Sequence, residues 1–395
     1  MVRRAPLRVA FTHISRPLWA GGYNYQRNLF AALNRFCPNE IAPVLFAGNG
    51  ADGEELEALA EIPGVQVVRS AAFESRTGLL AALSLGIDRN AAAEFSKQRI
   101  DAVFESARFF GWRLSHPAVA WFPDLQHRKL PELFSTTARW RREIGFRMQI
   151  ASGRTIMLSS ESALRDFRKY YAGASNNVAM VRFATQPPPA FLTTDPADVI
   201  AHYRLPRKYF YLPNQFYRHK NHQVVVDALT ILAQAGTDVV VCASGSTEDP
   251  RERGYFDQVM AQVRSRGLET RFLHLGAIPL SHVYALLRAT IALINPSRFE
   301  GWSTTVEEAK SFGVPMILSD LDVHREQTKG AACFFGTDDP ASLADHLMRA
   351  SRDFKDLVIR DLVPQHEARV TAFAVDFAEM VRRAAFASRF PASAA

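Results

Sequence analysis

Short, almost wholly apolar runs alternate with segments of helical spacing along the chain. Residues 7–11, 42–47, 65–68, 100–105, 118–122, 156–160 and 179–183 read as strands. Between them, 24–36 places Tyr25, Leu29, Phe30 and Leu33 on one helical face, and 52–60 reads as an acidic helix. Helix 138–151 mixes Trp140, Ile144 and Ile150 with Arg139, Arg141, Arg142 and Arg147, and helix 162–171 is basic. The run Thr185-Gln186-Pro187-Pro188-Pro189 then reads as a linker. After it the alternation restarts, with strands predicted at 209–213, 239–243, 271–275, 291–294 and 314–318. Helices are predicted at 222–235, 255–267, 281–289, from Thr304 to a stop at Gly313, at 341–352 and at 371–388, before a frayed tail at 390–395. Two such sets predict an α/β protein of two doubly wound, Rossmann-like domains with a cleft between them. No internal repeat or low-complexity region interrupts the pattern.

Composition narrows the class. A chain of 395 residues exceeds one ordinary core, and 48% hydrophobic with 22% charged residues is a soluble globular balance. Cys37, Cys242 and Cys333 are odd in number and form no C-x-x-C pair, which fits a reduced cytoplasmic protein and argues against a disulfide framework or structural zinc site. The basic start Met1-Val2-Arg3-Arg4-Ala5-Pro6 is followed by no apolar h-region, so a signal peptide is not expected, and 78–87 is too short to span a bilayer. The net charge of +7 is concentrated: residues 128–170 hold ten Lys/Arg against four Asp/Glu. That segment reads either as a solvated face or as a surface for an anionic membrane or lipid-linked acceptor. No helix-turn-helix, RNP motif or zinc module accompanies the charge, so nucleic acid is not an expected partner.

The densest candidate chemistry is Phe299-Glu300-Gly301-Trp302-Ser303-Thr304-Thr305-Val306-Glu307-Glu308-Ala309. Thr304 followed by Glu307 is a capping-box pattern, which makes Thr304 the expected N-cap and Glu307 its partner. Glu300 then lies in a strand-to-helix loop and Glu308 within the helix. Amide groups at the helix start suit a phosphate, and the two carboxylates suit hydroxyl-rich groups such as sugars. The set His219, Lys220, Asn221, His222 lacks a carboxylate or thiolate, which argues against a metal there. Gly21 and Gly22 sit in the predicted loop after the first strand without the full G-x-G-x-x-G pattern, and read either as a tight turn or as a backbone approach to phosphate or acceptor. The loop 123–131 gathers Asp124, His127, Arg128 and Lys129, whereas Asp320-Leu321-Asp322 reads as a cap or turn. No cofactor and no catalytic divalent metal is expected.

These motifs resemble the retaining glycosyltransferases of family 4, which have the GT-B fold. Glu300 and Glu308 form the E-x7-E motif, flanked in order by Asn295-Pro296-Ser297, Phe299-Glu300-Gly301, Glu308-Ala309 and Gly313-Val314-Pro315. Leu275-Gly276, Tyr284-Ala285-Leu286, the Gly21-Gly22 loop and Pro123-Asp124-Leu125-Gln126-His127 also match. Leu212-Pro213-Asn214-Gln215-Phe216 with His219-Lys220-Asn221-His222 resembles a bacterial subgroup rich in surface-polysaccharide enzymes. The resemblance implies an acceptor domain at 1–186, a nucleotide-sugar donor domain at 187–370, and a last helix, 371–395 with its tail, crossing back to the first. It implies transfer of a sugar, with retention and without metal, from a nucleotide-diphosphate sugar to a glycan or polyprenyl-linked acceptor. The setting is cytoplasmic, or peripheral at the inner face of the plasma membrane.

Carried over residue by residue, Glu300 contacts donor-sugar hydroxyls and Glu308 the ribose. Lys220 binds phosphate, and Gly301, Trp302, Ser303 and Thr304 line the sugar and diphosphate, with Ser244 a further donor contact. Gln215 stands where many members carry arginine, and Arg218 is a candidate for the missing charge. Trp302-Ser303-Thr304-Thr305 replaces the usual Phe-Gly-Leu-Pro. Asp124 and His127 position sugar or acceptor. The alternatives weighed are another GT-B nucleotide-sugar enzyme, such as an epimerase, and a non-catalytic sugar-nucleotide-binding relative.

Overall fold

The computed structural model describes residues 5–74, 77–106, 108–249 and 251–387. Its chain divides into two compact units, the first drawn from Met1–Arg128, Thr136–Gln186 and Glu367–Ala395 and the second from Lys129–Ser135 and Pro187–His366. The predicted helix end at Ser388 and the tail 390–395 lie outside the described residues, as do Met1 to Arg4 of the basic start.

In the first unit β1 (Leu7–Thr12), β2 (Ile41–Ala47), β3 (Gln66–Arg69), β4 (Ala102–Glu105), β5 (Ala118–Trp121), β6 (Thr155–Leu158) and β7 (Val178–Met180) form one sheet in the order β3-β2-β1-β4-β5-β6-β7. Every pairing is parallel. The second unit repeats the plan with β8 (Phe210–Leu212), β9 (Val241–Ala243), β10 (Phe272–His274), β11 (Leu293–Asn295), β12 (Met316–Ser319) and β13 (Cys333–Phe335), ordered β10-β9-β8-β11-β12-β13 and again parallel throughout. Both units are Rossmann-like, the α/β class the alternation predicts. A parallel sheet covered by helices buries both faces, which is why its strands read as continuous apolar runs. In β8 and its flank, Phe210 and Leu212 enter one core cluster while Tyr209 and Tyr211 enter the cluster on the opposite face. Strand order reverses between β1 and β4 and between β8 and β11. Those are the switch points, where α/β sheets open a crevice at the strand C-termini.

Several predicted boundaries move. Helix Ala20–Phe36 starts before Gly21 and Gly22, so the pair lies in a first helical turn and not in a loop. A Cβ on Gly22 would stand 2.4 Å from the Trp19 ring, itself stacked on Trp121 at 5.3 Å, so the glycine is the seat of an indole. The last helix, Gln365–Ala387, begins six residues before the predicted Thr371, and β13 and helices Arg89–Lys97, Pro196–His202 and Asp322–Thr328 were not anticipated. The last proline of the Pro-rich run opens a short helix, Pro189–Leu192. Thr304 is not the N-cap: Ser303 holds that position, and no side-chain cap bond forms. Glu307 is instead buried against Lys310 at 2.7 Å, because a carboxylate removed from water needs a cation more than the backbone needs a cap.

Gly22→Ala should therefore destabilise the protein by about 1–3 kcal/mol through overpacking. The same substitution in a Trp19→Ala background should cost much less, and denaturant midpoints of the four chains close the cycle. Equal losses in the two backgrounds would disprove the indole contact as the cause.

Candidate functional site

The site of the second unit is assembled by the loops leaving β8 and β11, neighbours at the switch point. After β8 the chain makes a 3-10 turn, Arg218–Lys220, and then enters helix His222–Gln234 through Asn221, whose backbone is left-handed at φ 57°. Asn tolerates that conformation better than most side chains. Its Nδ2 donates to the carbonyls of Pro296 at 3.2 Å and Thr337 at 2.8 Å, tying this loop to the loop after β11 and to the segment after β13. The result is a close ion pair, with Lys220 Nζ 2.6 Å from Glu300 Oε1 and both side chains largely buried.

Glu300 is held from behind as well. The Ser297 hydroxyl lies 2.7 Å from Glu300 Oε1 and 2.7 Å from Asn295 Oδ1, and Ser319 Oγ donates to the Ser297 carbonyl at 2.6 Å. Asn295, fully buried, gives its Nδ2 to Ser303 Oγ at 2.8 Å. Burial pushes the Glu300 carboxyl up, but the charge of Lys220, a smaller pull from the His324 ring and the hydrogen bonds from Lys220 and Ser297 outweigh it, and the group sits below its ordinary 4.5. Gln327 clamps the next turn, accepting from the Ser303 N–H at 3.0 Å and donating to the Ser303 carbonyl at 3.0 Å. Of the amides from Gly301 to Thr304 that the family likeness assigns to sugar and diphosphate, that of Ser303 is therefore already engaged.

The remaining donor-side candidates fall at differing distances from this pair. Glu308 is buried in helix Thr304–Ser311, and its charge helps push the Tyr211 hydroxyl up. That hydroxyl is 2.6 Å from Ser244 Oγ, so Ser244 and Glu308 share a neighbourhood. Gln215 Oε1 accepts the Ser246 N–H at 2.6 Å and braces the loop after β9. Arg218 is an exposed side chain whose guanidinium is taken up by Glu252 at 3.1 Å. Trp302 lies with its ring 6.0 Å from Lys310 Nζ. His219 is neutral, since burial and the charges of Lys220 and Arg251 drive its pKa far down, and its Nδ1 faces Arg251 at 3.1 Å. His222 is buried and stacked on Phe216 at 4.0 Å, with burial lowering it to about 3.

In the first unit, Asp124 and His127 follow β5. Asp124 Oδ1 accepts from Arg142 at 2.8 Å and from the Gln126 N–H at 2.9 Å. His127 is fully buried, and its Nε2 lies 3.2 Å from Glu143 Oε2. Burial and the charge of Arg142 lower its pKa despite that carboxylate. Glu143 is the organiser that sequence reading missed: it also receives Arg128 at 2.5 Å, Arg147 at 2.6 Å and the Tyr171 hydroxyl at 3.0 Å. Within a basic helix its only legible signal was being the lone acid there. In Asp320-Leu321-Asp322, Asp320 pairs with Arg325 at 2.5 Å and Asp322 opens helix Asp322–Thr328, so the run is a turn and helix start. Among the described residues no group of three or more His, Cys, Asp or Glu is arranged to hold a metal.

Residues 202–357 match the family model of the glycosyl transferases, group 1. The matched span covers the β8 and β11 loops and both glutamates. A stretch of 102 residues is 28% identical to O-antigen chain mannosyltransferase B of Escherichia coli, covering 26% of this chain and only 27% of that protein's length. Over nearly the whole chain the fold is similar to a glycosyltransferase from Rickettsia africae (TM-score 0.67, 11% identity, 96% of this chain and 94% of that one). It is also similar to Anabaena HepE, solved with UDP and glucose (TM-score 0.62, 15% identity, 97% of each chain). Sucrose-phosphate synthase from Thermosynechococcus elongatus is a third (TM-score 0.63, 15% identity, 96% and 94%). At such identities the likeness establishes the fold, which is the two-domain GT-B class.

The depressed Glu300 pKa fixes a sign. A carboxyl lowered on folding contributes stability that is complete above its unfolded value near 4.5 and is lost as pH falls through the folded value. Glu300→Gln should thus flatten the fall in stability on acidification below 4.5, read from urea midpoints at stepped pH. An unchanged acid slope would disprove the ion pair as drawn.

Proposed function

We propose that this chain is a retaining glycosyltransferase that moves a sugar from a nucleotide-diphosphate sugar to a glycan or lipid-linked acceptor, in the assembly of a bacterial surface polysaccharide. The observation that carries the reading is the Lys220–Glu300 pair at the C-terminal ends of adjacent strands, inside the span that matches the group 1 glycosyl transferases. An ammonium has three donors. Lys220 can keep Glu300 oriented and still neutralise the departing diphosphate. Glu300, an acceptor on both oxygens, takes sugar hydroxyls, and Glu308 takes the ribose. In this reading the bond from the anomeric carbon to the diphosphate oxygen breaks as the acceptor oxygen bonds to the same face, and the acceptor proton passes to the departing phosphate. Lys220, not a divalent cation, supplies the counter-charge. HepE is solved with UDP and glucose, and the Escherichia coli relative is a mannosyltransferase, which makes UDP and GDP sugars the first donors to try.

Thermal shift against UDP, GDP and ADP should show stabilisation by one of them. With the matching sugar donor, Lys220→Ala and Glu300→Ala should each lower transfer by about 10²–10³-fold. EDTA should leave the rate unchanged, and NMR of the first product should show the donor's anomeric configuration. Transfer surviving in a Glu300→Ala, Glu308→Ala chain would end this site assignment.

We further propose that the basic segment of the first unit touches an anionic membrane surface. Helix Thr136–Ala151 leaves Trp140 58% and Ile144 46% exposed, one turn apart, beside Arg139 and Arg141. An exposed aromatic and aliphatic pair flanked by arginines suits an interfacial contact, each basic residue adding about 1 kcal/mol near anionic lipid. No helix among the described residues is long and apolar enough to cross a membrane. The protein should co-sediment with phosphatidylglycerol vesicles at low salt and detach at high salt, and Trp140→Ala with Arg141→Glu should abolish binding. No sedimentation of the unaltered protein at low salt would exclude the contact.

A further inference from the structure

We propose that His324 is a ligand to the donor sugar, its Nε2 accepting a hydrogen bond from a hydroxyl of the glycosyl group beside Glu300. The inference rests on the glycosyltransferase reading and assigns a specificity-determining side chain within it.

His324 belongs to helix Asp322–Thr328 and is fully buried. Its Nδ1 lies 2.9 Å from the carbonyl oxygen of Ser319. A carbonyl can only accept, so Nδ1 carries the ring hydrogen, and in the neutral ring Nε2 is a bare acceptor. That nitrogen is shut off from solvent and has no hydrogen-bond partner among the described residues. Burial holds the ring below its ordinary 6.5 although Glu300 pulls it upward, and Lys220 acts on it too, so the ring lies in the field of both members of the ion pair.

The connection to Glu300 is also structural. The residue that fixes the His324 ring, Ser319, donates its hydroxyl to the Ser297 carbonyl at 2.6 Å, and the Ser297 hydroxyl stands 2.7 Å from Glu300. One turn further along the helix of His324, Gln327 holds both the N–H and the carbonyl of Ser303. The helix is thus the rear wall of the Glu300 loop. A buried acceptor with no donor is unfavourable, and native structures retain such a group where function needs it. Here it adds to Glu300 a second acceptor-only group. Sugar hydroxyls are the donors that such a pair selects, and a pocket built to receive hydroxyls discriminates strongly against analogues that lack one.

Two substitutions separate the ring's two nitrogens. In His324→Asn the amide nitrogen stands near Nδ1 and keeps the bond to Ser319, while nothing occupies the place of Nε2. In His324→Gln the amide oxygen reaches that place. Calorimetric titration with UDP, GDP, ADP, UDP-glucose, GDP-mannose and ADP-glucose identifies the matching pair. The affinity ratio of nucleotide sugar to nucleotide is then compared among the chains. His324→Asn should lower this ratio about tenfold, leaving nucleotide affinity and the thermal midpoint close to those of the unaltered protein. His324→Gln should hold the ratio within about threefold of the original, and it decides the matter by itself if the Asn chain does not fold. An unchanged ratio in His324→Asn, an equal loss for nucleotide and nucleotide sugar, or a Gln chain as impaired as the Asn chain would each overturn the assignment. Those results leave the glycosyltransferase reading intact. Failure of the unaltered protein to bind any of the six would instead remove that reading, and this inference with it.

Discussion

Two charges held out of water, Lys220 and Glu300, set the terms for everything around them in the second unit. Desolvating both is costly, and the pair repays it only if the geometry is good and the remaining lone pairs are met. Here Ser297 meets the same carboxylate oxygen, and Asn221 ties its loop to the loop after β11 through the carbonyl of Pro296 and to the segment after β13 through that of Thr337. The 3-10 turn Arg218–Lys220 that ends at the left-handed Asn221 carries Lys220 in the loop between β8 and the next helix. A switch point supplies the reason for the location. Only there do neighbouring strands send their connections to opposite sides, leaving two loop ends free to converge.

The E-x7-E spacing acquires a physical meaning from this geometry. Glu300 lies in the loop and faces Lys220, whereas Glu308 is eight residues later, inside the helix, where its charge acts on the Tyr211 hydroxyl. The two carboxylates do not form one acid–base dyad. In the proposed function each would address a different part of an extended ligand, Glu300 the sugar and Glu308 the ribose. Glu307, between them, is drawn inward to Lys310 and Gln327 and stabilises the helix that carries Glu308.

How much of this was legible in the sequence differs by layer. Every strand of both sheets but β13 was, because burial on two faces leaves runs such as Val241-Cys242-Ala243 with no polar interruption, whereas β13 exposes Cys333. The N-cap was misplaced by one residue, at Thr304 and not Ser303, since the capping pattern of Thr304 and Glu307 is local and the tertiary claims of Asn295 on Ser303 and of Lys310 on Glu307 override it. Helix Pro196–His202 did announce itself, through an Asp195 cap followed by a proline at the first helical position. It was hidden only by the Pro-rich run before it. Glu300, Glu308 and Lys220 stood out through motif context. Glu143, His324 and Gln327 did not, because what places each includes a residue distant in sequence, Arg128 for Glu143, Glu300 for His324 and Ser303 for Gln327, and no local pattern marks them.

The first unit shows the same logic from the opposite direction. Its adjacent glycines look like a phosphate loop, yet the space above Gly22 is filled by Trp19, and the indole is supported in turn by Trp121 and Tyr25. Its basic helix looks like a free cationic face, yet Arg128 and Arg147 converge on buried Glu143, and Arg142 on Asp124. What that helix leaves exposed is smaller and more specific than the composition suggested: Trp140 and Ile144, with Arg139 and Arg141 beside them. Charge counted along a chain overstates charge available at a surface, and the difference is set by the few acids, such as Glu143, that the fold chooses to bury.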